Sequence, residues 1–169
     1  MGRILKTFLW GLAFLTIFPV LILASKLPTF KDLPHWQATA PEFLTYSGGM
    51  KAFYLHRTYQ REDGAKLELF LAGGTEGARL IRTLKGRIEI NTENYLLKYD
   101  KEGPYQTLLS FAPPEKRGFV AIFLKDDPPV ILFARFSGLE LKEALGLLKS
   151  FDWNQLLSQS LAFLEGEVS

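Results

Sequence analysis

The chain has 169 residues and no cysteine, which excludes disulfides, thiol catalysis, thiolate zinc sites and iron–sulfur ligation. Its 20 lysines and arginines face 18 acids, but Arg3 and Lys6 precede every acid in the sequence. The part beyond them carries 18 charges of each sign, and that balance lacks the basic surplus that nucleic-acid binding requires.

Residues 7–24 read TFLWGLAFLTIFPVLILA, an uncharged run of 18 residues. As a helix it spans about 27 Å, close to the hydrocarbon thickness of a bilayer. The run is longer than the apolar core of a signal peptide. A cut after Ala24 would put the bulky Ile22 at the −3 position. The expectation is an uncleaved anchor over residues 1–25, with a cleaved signal as the alternative. Pro19 is compatible with a membrane helix. Arg3 and Lys6 place the amino terminus in the cytoplasm and the rest outside, in the periplasm or the extracellular space.

Residues 26–49 are expected to form a tether, broken by Pro28, Pro34 and Pro41, whose Trp36, Phe43, Leu44 and Tyr46 pack on the domain surface. Residues 50–169 are expected to be the extracytoplasmic domain. Its first strand, 50–61, puts Ala52, Tyr54, His56 and Thr58 on one face and Phe53, Leu55, Arg57 and Tyr59 on the other. Glu62-Asp63-Gly64 signals a hairpin into strand 65–72, with Leu67, Leu69 and Leu71 on one face. Gly73-Gly74-Thr75 opens a helix to about Lys85, capped by Thr75. Strands follow at 87–91, 94–99 and 105–111, then two apolar strands at 119–124 and 130–134. The last two lack alternation, so both of their faces should be covered. Helices are expected over 139–149 and after Asp152, the latter with Trp153, Leu156, Leu157, Leu161 and Leu164 in one stripe. Short links between successive strands require antiparallel pairing. The fold class is therefore α+β, a mainly antiparallel sheet of about seven strands with helices packed on it.

The chemistry-bearing residues are few. Arg135 interrupts the apolar stretch ILFARF and could clamp an anionic group, or simply reach solvent at the strand's end. His56 lies mid-strand with no second histidine at ligand spacing. Trp36 and Tyr54 belong to an aromatic cluster around the tether and first strand, fit for an apolar ligand or partner or for core packing. Asp126-Asp127 reads as a turn, and Gly73-Gly74-Thr75 lacks the phosphate-loop lysine and the full dinucleotide fingerprint. No catalytic constellation, metal site or cofactor motif emerges. The expected function is that of a membrane-anchored, non-catalytic accessory protein that binds a membrane-protein partner. The alternatives are a carrier or sensor of a small apolar or anionic ligand through Arg135, His56, Trp36 and Tyr54, and an enzyme with a dispersed acid/base site.

Overall fold

A computed structural model describes residues 27–166 apart from Gly49 and Arg87. The expected anchor, residues 7–24, lies outside the described residues. Among those residues, no helix is long and apolar enough to cross a membrane.

The described residues form one antiparallel sheet of nine strands. They are β1 (Gln37–Ala38), β2 (Glu42–Gly48), β3 (Met50–Gln60), β4 (Lys66–Gly74), β5 (Ile90–Asn91), β6 (Leu96–Glu102), β7 (Tyr105–Ala112), β8 (Arg117–Asp126) and β9 (Pro129–Ser137). Among the described residues three α-helices accompany them: α1 (Thr75–Leu84), α2 (Leu141–Lys149) and α3 (Trp153–Glu165). The strand order is β1-β3-β4-β9-β8-β7-β6-β5, and β2 pairs beside β1 on the outer edge of β3. After β4 the chain crosses the sheet through α1, then meanders back from β5 to β9, which closes against β4.

The expected seven strands correspond to β3–β9. The two extra strands come from residues read as a tether. Phe43, Leu44, Thr45 and Tyr46 suit a strand by composition. The neighbouring prolines mask that signal, and Ser47-Gly48 belongs to the strand itself, since Gly48 pairs with Met50 across the hairpin. Strand 87–91 shrinks to Ile90–Asn91. Thr75 is not a cap. Gly74 holds the N-cap position of α1 at φ 67°, with no side-chain cap bond. Only glycine fits there, because a Cβ would lie 2.1 Å from the Lys51 carbonyl oxygen. Asp152 does cap α3, its carboxylate accepting from the Gln155 amide at 2.9 Å.

Both faces of the central strands carry a core, as their apolar composition predicts. On one face Leu55, Leu69, Leu109, Ile122 and Leu132 pack under Ala144, Leu148 and Leu156 of α2 and α3. Phe30 and Leu33, from the chain entering the domain, complete this layer. On the other face Ala72, Ile131, Ala121, Leu108 and Leu97 lie beneath Ile81 and Leu84 of α1.

The entering segment is fastened by two residues of β3. Arg57 donates through Nη1 to the Phe30 carbonyl at 2.5 Å, through Nη2 to Asp32 at 2.5 Å, and through Nε to the Thr39 carbonyl at 2.9 Å. The buried Tyr59 hydroxyl donates to the Lys31 carbonyl at 2.7 Å. Burial pushes this hydroxyl up to about 12, although Arg57 pulls the other way. A phenol whose pKa is raised by folding contributes stability that is complete below its unfolded value, near 10, and is lost as pH rises through the folded value. Denaturant midpoints should therefore decline between about pH 10 and 12. Tyr59→Phe should flatten that decline, and an unchanged alkaline slope would contradict the burial argument.

Candidate functional site

The strand register arranges the α1 side of the sheet in rows. One row runs Leu44, Tyr54, Ala72, Ile131, Phe123. The next runs Glu42, His56, Phe70, Phe133, Ala121, Leu108, and the third runs Thr58, Glu68, Arg135, Phe119, Ser110. Helix α1 packs on β3, β4, β9 and β8 near the first row and reaches Leu97 and Tyr99 with its C-terminal end. In the lower rows His56, Phe70, Phe133 and Phe119 stay half-exposed, while Ala121, Leu108 and Ser110 are buried.

Five rings form a continuous strip over this open half. His56 stacks on Phe70 with centroids 4.6 Å apart and planes 14° apart. Tyr54 lies 5.7 Å from Phe70, Phe70 lies 6.0 Å from Phe133, and Phe133 lies 5.3 Å from Phe119. All five side chains are partly solvent-accessible. Leu44 and Tyr46, expected to pack on the domain surface, instead extend the strip outward, 53% and 55% exposed. Strand β2 lies at the sheet's edge. Trp36 and Phe43 do pack on the core, on the opposite side.

A charged border runs beside the rings. Arg135 sits over the Phe70 ring at 5.5 Å and pairs with Glu68 at 3.3 Å. Lys66 reaches Glu68 at 2.6 Å. The Lys66 hydrogen bond, with further help from Lys66 and Arg135 charge, holds the Glu68 carboxyl below its ordinary range despite partial burial. Burial pushes the Tyr54 hydroxyl up, with Arg135 opposing. His56 contacts Glu42 through Nδ1 at 3.5 Å and Thr58 through Nε2 at 3.4 Å. Below the strip an open groove of about 730 Å³ lies between Lys66, Glu68, Tyr95, Arg117, Phe119 and Arg135. Each of its basic groups has an acid beside it, Arg117 being paired with Glu115.

Three of the four residues singled out in the sequence thus share one surface: Tyr54, His56 and Arg135. Arg135 is the strand-end arginine that reaches solvent, its side chain 62% exposed. Trp36 lies elsewhere. Its ring sits under the Arg61 guanidinium at 5.1 Å, beside the core of the helix-covered face. Phe70, Phe133, Phe119 and Glu68 complete the site and escape sequence reading because they look like core or ordinary surface. The alternation Lys66-Leu-Glu-Leu-Phe-Leu was the usable signal for Glu68 and Phe70.

The arrangement offers flat apolar faces flanked by oriented charge, which suits stacking and burial against another surface. Among the described residues no group of three or more histidines and acids could hold a metal ion. Asp126 is engaged by Lys85 at 2.7 Å. Comparison with protein-family models, with curated proteins and with solved structures finds no significant match.

Proposed function

We propose that the chain is a membrane-anchored extracytoplasmic accessory protein that docks a membrane-protein partner through the aromatic strip. The observation that carries this reading is the asymmetry of the two sheet faces. One is roofed by α2, α3 and the entering segment. The other, beside α1, leaves Tyr54, His56, Phe70, Phe133 and Phe119 partly solvent-accessible. Aromatic residues and arginine are enriched in the energetic centres of protein interfaces, and the mixed-charge border of Glu68, Lys66 and Arg135 fits a polar rim.

The entry of the chain supports a partner within the membrane. Phe30 is locked in the core at 1% exposure. Five residues lie between it and Ala24, so the connecting chain spans at most about 22 Å. A domain tied so closely to an anchor over residues 7–24 works at the bilayer surface. A second reading, capture of a small anionic ligand, draws on Arg135, Lys66 and Arg117 around the open groove. An anion there would have to displace Glu68 and Glu115 from their partners, so protein docking is the stronger reading.

The test is native purification of the full-length chain in mild detergent with mass spectrometry of what accompanies it. A stoichiometric membrane protein is expected. The double replacement His56→Ala, Phe70→Ser should release it, whereas Ser158→Ala on α3 should not. Equal retention by both variants would refute docking at the strip.

A further inference from the structure

We infer that two copies of this chain pair through the outer edge of β2, joining their sheets into one. The inference is independent of the docking reading. Strand β2 is seven residues long, EFLTYSG, and among the described residues it pairs only with β3. Among the described residues no backbone group pairs with its other edge. Natural sheets protect such edges with lysine, proline, bulges or short strands. From Phe43 to Gly48 strand β2 has none of these, Pro41 and the exposed Glu42 guarding only its start, and the register with β3 is unbroken from Glu42 to Gly48. It also exposes Leu44 and Tyr46.

The opposite margin of the sheet is protected. Strand β5 has only two residues, and β6 beside it carries Lys98, Asp100, Lys101 and Glu102. Protection at one end and its absence at the other mark β2 as the edge that is used.

The sequence of β2 suits a second copy of itself. A two-fold contact needs a self-complementary surface. Antiparallel pairing about Thr45 places Leu44 opposite the second copy's Tyr46, and Tyr46 opposite its Leu44. These two apolar pairs lie on the α1-side face, where both residues are now exposed. Thr45 faces Thr45, a favourable cross-strand pair. Glu42 falls opposite position 48, a glycine, so no like charges meet. The two aromatic strips would then lie on one continuous face.

The cysteine-free sequence provides a clean test in the full-length chain, in the cells that express it. In the two-fold register the Thr45 Cα atoms lie about 5 Å apart, within disulfide range. The Tyr46 Cα atoms lie about 8 Å apart, beyond it. Under mild oxidation Thr45→Cys should yield a disulfide dimer, at least about tenfold more than Tyr46→Cys or Ile90→Cys on the other edge. Adding Leu44→Lys, a substitution at an exposed site, should cut that dimer at least about tenfold while the denaturant midpoint holds. Three results would overturn the inference: equal crosslinking at all three positions, no dimer from Thr45→Cys, or an adduct of Thr45→Cys with a protein of different mass.

Discussion

Leu132→Ala should cost about 2–5 kcal/mol in a denaturant melt of the full-length chain, a large share of the roughly 5–15 kcal/mol that holds a domain together. Leu132 is 0% exposed in β9, between β4 and β8, on the face roofed by α2 and α3. Cutting it back leaves a cavity in the most enclosed layer of the molecule. Its neighbour Phe133 points the other way, into the open strip. Phe133→Ala should cost only about 1 kcal/mol, since the ring is half-buried and full burial is worth roughly 1.5–3 kcal/mol. The pair of adjacent substitutions therefore reads out which face is core and which is surface. Equal costs would show that the strip is packed against something in the folded chain.

Arg57→Ala should be nearly as damaging, by about 2–4 kcal/mol, although no sequence rule marks the residue. The guanidinium ties Phe30, Asp32 and Thr39 to β3 and lies over the Tyr59 ring at 5.3 Å. Its removal strands the part-buried Phe30 carbonyl, and this, with the lost fastening of the segment, rather than the ion pair or the exposed Thr39 carbonyl, carries the cost. Asp32 is 83% exposed and is rehydrated easily. Arg57→Lys should recover less than half, because a single ammonium cannot match a planar fork that serves three acceptors. Limited proteolysis should then find residues 27–40 cut first. A variant as stable and as resistant as the parent would show that the entering segment is held by its apolar residues alone.

The three helices and strands β3–β9 were legible because their periodicities are local: leucines at every second position in β4, and at spacings of three and four in α3. Strand β2 was hidden by the prolines around it. The position of β9 was not legible. Apolar composition says that a strand is central, but its pairing with β4 as well as β8 is set by how far α1 carries the chain across the sheet. That same placement decides which rings stay open. Tyr54 and His56 were found from the first strand's alternation. Phe70 and Phe133 could not be told from core residues until the reach of α1 was known. Trp36 shows the reverse failure, since closeness in sequence to other aromatic residues did not put it on their face.

The central claim is that the open half of the sheet is a docking surface. A photoreactive phenylalanine analogue at Phe70, in the full-length chain within its own cells, tests it most directly, with the same analogue at the exposed Lys142 of α2 as control. Irradiation should give a single adduct with one membrane protein from position 70 and none from position 142. No adduct from position 70, or the same adduct from position 142 alone, would contradict the account.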